Sequence, residues 1–238
     1  MITLAIDTSE TRGSVAVLRD SASLSTHQHV DQSDYSAWLL PAVEQSLTKA
    51  RTKIEQIQLF AVCTGPGSFT GLRVGLTTVK AWAEVYGKQV VGVSRLEALA
   101  RSAEATTLFV ASCYDAQRAQ LFGGLYRRKE HQLERIGDEV VTSPDDFAAI
   151  VDREANSDRV TWVSLDPELI QNLELVQRRT AAGDLVLPGS VELASTIGKI
   201  AAERAAKGEF SDSLNLDANY VRRSDAEIFW KGPAARVR

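Results

Sequence analysis

Residues 63–75, CTGPGSFTGLRVG, carry the densest local signal in the chain, with four glycines and one proline in thirteen residues. The apolar run just before this stretch, residues 59–64, predicts a buried strand. The apolar spacing just after it predicts an amphipathic helix that ends at Gly87, with Thr70 as its N-cap. The stretch is therefore predicted to be the turn of a strand–turn–helix unit, which is typical of an α/β fold.

The rest of the chain continues this alternation of strands and helices. Strands are predicted at residues 2–7, 14–18, 23–30, 89–93, 107–113, 119–126, 133–141 and 160–165, with one short strand within 173–186. Helices are predicted at residues 34–50, from Ser94 to about 105, from Ser143 onward, and at 189–207 with Ser190 or a neighbouring residue as the cap. Pro41 falls inside the first of these helices and predicts a kink or a late start there.

The order of the predicted elements repeats along the chain. Each half begins with a strand, a turn that carries an aspartate, two more strands, and then helix, strand and helix, so that Asp7 and Asp115 occupy equivalent places. Hairpin strands followed by strand–helix crossovers predict a mixed sheet with helices on its faces. We therefore expect an α/β fold of the duplicated actin-like, ribonuclease-H-like class. Its two mixed-sheet halves with flanking helices would be residues 1–106 and 107–238, the second with a basic tail at 222–238.

Composition excludes several classes of protein. The 238 residues carry a net charge of −4, which argues against a general nucleic-acid coat, because such proteins need many cations to contact phosphates. The two cysteines, Cys63 and Cys113, lie in apolar runs and are expected to be buried, reduced thiols. The first residues do not follow a signal-peptide pattern, and no apolar run approaches the roughly 20 residues needed to cross a bilayer. A cytoplasmic protein without membrane contact is expected.

The glycine-rich stretch completes none of three common templates for phosphate or nucleophile sites. The phosphate-binding template G-x-x-x-x-G-K-[ST] lacks its lysine, because Lys80 lies too far along the chain. The dinucleotide template G-x-G-x-x-G has Thr70 in place of its third glycine, and the nucleophile template G-x-S-x-G has Pro66 in place of its first. The amides at the start of the helix still suit an anion, but the favoured alternative assigns Gly65 and Gly67 to unusual backbone angles.

Small residues recur within the helix that follows. Gly71, Gly75 and Thr78 fall at helical spacing, so they share one face of the helix and let another backbone approach closely. This ridge suits either a contact in the core or a partner helix. If a partner uses it, Gly75→Trp is expected to abolish pairing while leaving the fold intact.

The end of the first strand, Asp7-Thr8-Ser9, is where actin-like ATPases hold Mg²⁺ and phosphates. A working nucleotide clamp also needs glycine after the equivalent strand of the second half, but residues 115–118 read DAQR. The late loop that contacts adenosine in such a clamp should also be glycine-rich, but residues 187–190 read LPGS and contain one glycine. The fold class thus indicates ATP while the residues argue against it. A weak nucleotide or anion site is predicted at Asp7, Thr8, Ser9, Gly65, Gly67 and Ser68.

The histidines do not predict a metal site. His27 and His29 share a strand face, but no third ligand is evident and the chain contains no H-x-x-x-H motif. We therefore expect them to be solvated, and we assign no catalytic residue and no metal ligand. Contact of the tail at 222–238 with RNA is the less favoured of two interpretations, since a basic terminus is more often simply solvated.

Several stretches of this sequence resemble those of the bacterial TsaB family of tRNA threonylcarbamoyladenosine biosynthesis, formerly called YeaZ. They are MITLAIDTSETRGSVAVL at 1–18, WLLP at 38–41, TGPGSFTGLRVGL at 64–76, VVGVSRLEALA at 90–100 and NYVR at 219–222. The first half is similar along most of its length, and the second is similar mainly through residues 114–118 and the NYVR end. The chain departs from the family in having Tyr35-Ser36-Ala37 where many members have His-Ser, and Ala218-Asn219 where many have proline.

The resemblance implies a role in placing threonylcarbamoyl on the adenosine beside the tRNA anticodon. In this role the chain is a non-catalytic partner and activator of a TsaD-like paralogue, which carries the H-x-x-x-H metal site, and a TsaE-like ATPase joins them. The chain would not be an enzyme when isolated and would meet tRNA only through the complex. For the chain alone the sequence leaves two states open, a monomer and a homodimer that pairs through the Gly71/Gly75 ridge. No cofactor would bind tightly, with ATP or ADP held at most at the interface with the partner. The expected partner interface comprises Trp38, Leu39, Gly71, Arg73, Gly75 and Thr78.

Two other functions remain open on the residues alone. The first is an ATP-dependent kinase or ATPase of the actin-like fold, which would need Asp7, Thr8 and residues 65–68 to bind phosphates. The second, less favoured, is a glycoprotease-type peptidase, which would need a metal or a nucleophile that no motif supplies.

Overall fold

Two five-stranded sheets with the same strand order form the frame of the protein. The computed structural model describes residues 1–30, 33–130 and 132–221. The first sheet contains β1 (Ile2–Asp7), β2 (Ser14–Arg19), β3 (Ala22–Gln28), β4 (Leu59–Gly65) and β5 (Gln89–Ser94). The second contains β6 (Phe109–Asp115), β7 (Leu121–Lys129), β8 (Gln132–Thr142), β9 (Val160–Ser164) and β10 (Leu185–Pro188).

The helices complete the duplication. They are α1 (Tyr35–Lys49), α2 (Phe69–Tyr86), α3 (Arg95–Ser102), α4 (Pro144–Ala155), α5 (Glu174–Ala181) and α6 (Ala194–Ala206). The strand order is β3-β2-β1-β4-β5 in one sheet and β8-β7-β6-β9-β10 in the other, with hairpin strands antiparallel and the rest parallel. Each half thus has the order βββαβαβα, which confirms the predicted duplicated α/β fold.

The two halves exchange their last helices. Helix α3 follows the first sheet in sequence but packs on β6 and β7, whereas α6 follows the second sheet and packs on β1 and β2. Leu99 of α3 and Ile197 of α6 lie in one core together with residues of both sheets, such as Ala5 of β1 and Tyr114 of β6. Helices α1 and α2 cover the other face of the first sheet, and α4 and α5 cover that of the second. All strands of the first sheet precede residue 106, but the packing crosses this boundary.

Two helix starts differ from the prediction. The N-cap of α2 is Ser68, not Thr70, and its hydroxyl accepts a hydrogen bond from the amide of Gly71 at 3.3 Å. Helix α6 begins at Ala194 rather than at residue 189, because the Ser190 hydroxyl donates to the Glu192 carbonyl in a local turn instead of capping a helix. Hydroxyl residues suit both roles, so spacing in the sequence does not distinguish them.

Helix α5 is absent from the prediction, which assigned only a short strand to this region. Its buried residues are Val176 and Arg179, so the helix has no apolar stripe for a pattern to detect. The Arg179 guanidinium is satisfied by Asp184 and Asp152, each at 2.8 Å. By contrast, α1 lies within its predicted bounds, but it runs from Tyr35 to Lys49 through Pro41, so the late start considered for this helix is wrong.

Within residues 1–30, 33–130 and 132–221, the structure has no helix that combines the length and the apolar character needed to span a bilayer.

Candidate functional site

Three chain segments meet at the carboxyl edge of the first sheet. Strands β1, β4 and β5 are parallel neighbours, so their carboxyl ends lie side by side. Asp7 ends β1, Gly65 ends β4 and opens the glycine loop, and Arg95 directly follows β5 as the first residue of α3. Ligands of α/β sheets bind at such an edge, which makes it the candidate site.

A buried ion pair occupies the centre of this edge. The side chains of Asp7 and Arg95 are both fully buried, and Arg95 Nη1 pairs with Asp7 Oδ2. The same nitrogen donates to Ser9 Oγ at 3.0 Å, and Arg95 Nη2 pairs with Glu10 Oε2 at 3.2 Å. Burying two charges is costly unless they are paired and hydrogen-bonded, as they are in this arrangement.

The second carboxylate oxygen of Asp7 is also occupied. Asp7 Oδ1 accepts hydrogen bonds from the Ser9 amide, at 3.0 Å, and from the Ser9 hydroxyl. The Cys63 thiol in turn donates to Ser9 Oγ at 3.3 Å. Mg²⁺ at such a site requires carboxylate or water oxygens in an open octahedral shell. The residues at the end of β1 therefore do not fit a metal–nucleotide ligand in this arrangement.

The glycine loop is closed against the turn that follows β1. The Ser68 amide donates to the Ser9 carbonyl at 2.6 Å, so this amide at the start of α2 is used within the chain. A Cβ on Gly67, whose φ is +154°, would lie 2.0 Å from the same carbonyl oxygen. The loop glycines therefore serve backbone angles and close approach, as the structural alternative predicted.

The charge of Arg95 and the burial around it shift the neighbouring pKa values. Burial alone would lower the pKa of Arg95, but Asp7, Tyr114, Cys63 and Glu10 outweigh it and raise that pKa above its ordinary value. Burial raises the pKa of Tyr114 well above its ordinary value and also raises the pKa of the Cys63 thiol. Both groups stay neutral at physiological pH, which makes Cys63 a poor nucleophile.

The equivalent turn of the second half is built differently. Asp115 ends β6, and its carboxylate accepts hydrogen bonds from the amide and the side chain of Gln117 at 2.7 and 2.8 Å. Gln117, Arg118 and Ala119 have φ values of 64°, 58° and 55°, a left-handed conformation that costs roughly 1–2 kcal/mol per non-glycine residue. The structure therefore shows a strained turn where the sequence lacks the glycine of a nucleotide clamp.

A cavity of about 950 Å³ lies between the halves beside this edge. It is lined by residues 9–12, 66–69, 114–118, 122, 166 and 219–221. Arg12 Nη2 lies 3.7 Å from Asp166 Oδ1, so an ion pair connects the two halves across the cavity.

A shallower groove runs between α1 and α2. Its volume is about 630 Å³, and Leu40 and Phe69 expose 57% and 38% of their surface there. Apolar side chains exposed together in a groove are typical of an interaction surface. The groove is lined by Ser36, Leu39, Leu40, Phe69, Thr70, Arg73, Val74, Thr77 and Thr78.

Of the residues predicted for a partner interface, Leu39, Arg73 and Thr78 line this groove. Trp38 is largely buried, and Gly71 and Gly75 face the interior. A Cβ on Gly71 would lie 2.0 Å from the Thr8 carbonyl oxygen, and one on Gly75 would lie 2.4 Å from Thr8 Oγ1. The two glycines of the small-residue ridge therefore make a contact within the chain. The expectation that Gly75→Trp leaves the fold intact is wrong, since even a methyl group overlaps Thr8.

His29 is not the solvated strand histidine of the prediction. It is 5% exposed, with Nδ1 2.7 Å from the Thr11 carbonyl and Nε2 3.0 Å from the Ser33 carbonyl. Its ring packs against Tyr35 and Trp38. In the part of the chain that the structure describes, no group of three or more His, Cys, Asp or Glu side chains could hold a metal ion.

The segment after α6 returns to the glycine loop. Ser211 pairs with Val90 at the edge of β5, and the Asn219 amide donates to the Thr64 carbonyl at 2.7 Å. The Tyr220 ring then contacts Phe69, with ring centroids 5.0 Å apart. The late NYV sequence thus contributes to both the cavity and the rim of the groove. His131 and the basic tail at 222–238 lie outside the described residues.

Arg95 is the principal site residue that the sequence prediction missed. The available signal was an arginine directly after an apolar strand, in the run VVGVSR at 90–95. Its partner Asp7 lies 88 residues earlier, so spacing along the chain could not connect the two.

Comparison with known proteins gives a consistent family and fold. The family model described as "TsaD: tRNA N6-adenosine threonylcarbamoyltransferase" matches residues 27–207. The tRNA threonylcarbamoyladenosine biosynthesis protein TsaB of Bacillus subtilis is 26% identical over 97% of this chain and 98% of its own.

Among solved structures, YeaZ from Pseudomonas aeruginosa has a TM-score of 0.74 at 24% identity, covering 92% of this chain and 99% of that one. The activator of 2-hydroxyisocaproyl-CoA dehydratase from Clostridium difficile, with bound ADPNP, has a TM-score of 0.52 at 9% identity, covering 88% and 97%. These likenesses confirm the actin-like fold. The chain belongs to the family described as TsaD, tRNA N6-adenosine threonylcarbamoyltransferase, and it is a TsaB/YeaZ-like protein.

Proposed function

We propose that this chain is a non-catalytic partner and activator of a TsaD-like enzyme that places threonylcarbamoyl on the adenosine beside the tRNA anticodon. The full-length similarity to a protein named for threonylcarbamoyladenosine biosynthesis supports the pathway. The observation that carries the partner role is the groove between α1 and α2, with Leu40 and Phe69 exposed at its surface.

The proposed occupant of this groove is the TsaD-like paralogue. Such a paralogue belongs to the same family, so it is expected to present an equivalent pair of helices, and two similar helix pairs can pack across a pseudo-two-fold axis. Leu40 and Phe69 would supply the apolar centre, and Arg73 and Thr78 the polar rim. Without its partner, the same groove would pair two copies of this chain.

The proposal also covers nucleotide binding by this chain and the cellular compartment in which it acts. The paired and buried Asp7 carboxylate supports a chain that binds no nucleotide tightly by itself. Any ATP or ADP would lie at the interface with the partner, where a TsaE-like ATPase joins the complex. The chain would act in the cytoplasm and meet tRNA through the complex.

Reconstitution of tRNA modification tests the proposal. The TsaD-like enzyme is assayed with wild-type chain, with Leu40→Glu, and with Leu214→Glu as a matched exposed leucine outside the groove, 77% exposed. A buried charge at an interface costs at least tenfold in affinity. We therefore expect Leu40→Glu to lose co-purification and activation while Leu214→Glu keeps both. Full pairing and activation by Leu40→Glu would rule out this groove.

Calorimetry separates this proposal from an actin-like kinase. The isolated chain is titrated with Mg-ATP, and neither binding in the micromolar range nor turnover is expected. Binding with turnover that Asp7→Asn abolishes would favour the kinase.

A further inference from the structure

We infer that Arg95 is a built-in cation that takes the place of a metal ion at the carboxyl edge of the first sheet and couples the two halves without a ligand. The inference goes beyond the proposed function, because it concerns the isolated chain and requires neither a partner nor tRNA.

Negative charge is concentrated at this edge. Asp7 is fully buried and Glu10 lies beside it, so two carboxylates converge where the strands end. One guanidinium contacts both carboxylates and the Ser9 hydroxyl. Aspartate and glutamate carboxylates are also ligands that a hard divalent cation prefers. Arg95 therefore satisfies a set of oxygens that would otherwise suit such a cation.

The Arg95 guanidinium is also enclosed within the protein. Arg95 is 0% exposed, and its Nε finds no hydrogen-bond acceptor among the described residues. A buried donor without an acceptor is destabilising, so hydrogen bonding alone does not explain why Arg95 is buried here. Neutralising the buried Asp7 carboxylate is the larger effect, because an unpaired buried charge costs far more than one unused N–H.

Arg95 also connects this edge to the second half of the chain. The guanidinium carbon lies 5.2 Å from the centroid of the Tyr114 ring, which belongs to β6 of the second sheet. The Tyr114 hydroxyl then donates to the Pro66 carbonyl of the glycine loop at 2.7 Å. A continuous series of contacts thus runs from Asp7 through Arg95 and Tyr114 to Pro66. In a protein whose two halves are held together by a bound ligand, that ligand would make this connection.

The test is thermal unfolding of the full chain with and without divalent cations. The wild type is expected to show no change in Tm on adding millimolar Mg²⁺ or Ca²⁺, relative to NaCl at equal ionic strength. Arg95→Ser removes the charge and opens space beside Asp7, and its Tm is expected to fall by about 10 °C. Mg²⁺ or Ca²⁺ is then expected to restore several degrees, since the exposed oxygens can bind the ion.

The matched control is Asp7→Asn/Arg95→Ser, which lacks the carboxylate and should not respond to the cations. A purely structural role for Arg95 would lower the Tm without creating this response. The inference is overturned if folded Arg95→Ser gains no more from Mg²⁺ or Ca²⁺ than from NaCl. It is equally overturned if the wild type responds to these cations and Asp7→Asn does not.

A second pair of variants decides the matter if Arg95→Ser does not fold. Arg95→Met keeps most of the side-chain volume but leaves Asp7 unpaired, whereas Asp7→Asn/Arg95→Met removes both charges. Because the role assigned to Arg95 is charge neutralisation, the double variant is expected to have the higher Tm and the larger folded fraction. An equal or lower Tm for the double variant would contradict the inference.

Discussion

Replacing Gly71 with alanine tests the close packing of α2 against the turn after β1. The added Cβ would lie 2.0 Å from the Thr8 carbonyl oxygen, well inside the 3.4 Å at which ordinary contacts begin. Backbone cannot rotate away as a side chain can, so the start of α2 would have to shift by about 1.4 Å. That shift would strain the bond from Thr8 Oγ1 to the Gly71 carbonyl, now 2.7 Å, and the bond from the Ser68 amide to Ser9, now 2.6 Å.

The expected magnitude is the difference between opposing effects. Overpacking costs about 1–3 kcal/mol, and a weakened hydrogen bond costs about 1 kcal/mol. Alanine in a helix gains at most about 1 kcal/mol over glycine. The free energy of unfolding of Gly71→Ala should therefore fall by about 2 kcal/mol, which corresponds to a Tm lower by about 4–8 °C in a chain of this size.

Urea denaturation followed by far-UV circular dichroism measures the change. The matched control is Thr77→Ala, an exposed position of the same helix, whose stability should change by less than about 0.5 kcal/mol. If Gly71→Ala were as stable as the wild type or more stable, helix propensity would exceed the clash and the described packing of α2 on Thr8 would be refuted.

Three further predictions concern titration, reactivity and a second buried ion pair. Burial raises the pKa of Tyr114 and of Tyr126, so these two tyrosines should leave the free energy of unfolding unaffected below about pH 9 and lower it as the pH rises through 10, where unfolded tyrosines ionise. A flat urea-denaturation profile to pH 11 would contradict this. The Cys63 thiol is 2% exposed and its pKa is raised. It should therefore react with iodoacetamide at pH 8 far more slowly in the native protein than in urea. Equal reaction rates would show that the thiol is accessible in the native protein. Asp184→Ala removes one of the two carboxylates that pair with the buried Arg179 guanidinium at 2.8 Å, and it also removes the acceptor of the buried Trp162 indole N–H. It should cost about 3 kcal/mol in thermal unfolding, whereas a loss below about 1 kcal/mol would mean that Asp152 and solvent replace these contacts.

The two kinds of error in the sequence prediction have different physical causes. Helix α5 is missed because one of its two buried residues is Arg179, which a pattern of apolar residues counts as outward-facing. The start of α6 is misplaced because Ser190 forms a local turn that resembles a cap in sequence. Both errors arise where polar side chains make interior contacts that hydropathy does not register.

The candidate site is predicted only in part for a related reason. Asp7 and the glycine loop stand out because a strand end and glycine spacing are local features. The role of Arg95 and the inward orientation of Gly71 and Gly75 are not evident from the sequence. Each depends on a contact with β1 or the turn after it, which is distant in sequence. The exposed leucine Leu40 is likewise indistinguishable in sequence from the buried Leu39 beside it.

Local patterns in the chain are enough to specify nine of the ten described strands and most of the helices, and their repeated order specifies the duplicated actin-like fold. Hydrophobic periodicity and turn residues act over a few neighbours, so one sequence suffices to detect them. Three features are visible only in the folded molecule. Arg95 contacts Asp7, helices α3 and α6 each pack on the sheet of the other half, and the glycines of α2 face Thr8. These features depend on which distant side chains meet in a closely packed interior, and that is decided by packing and charge neutralisation together.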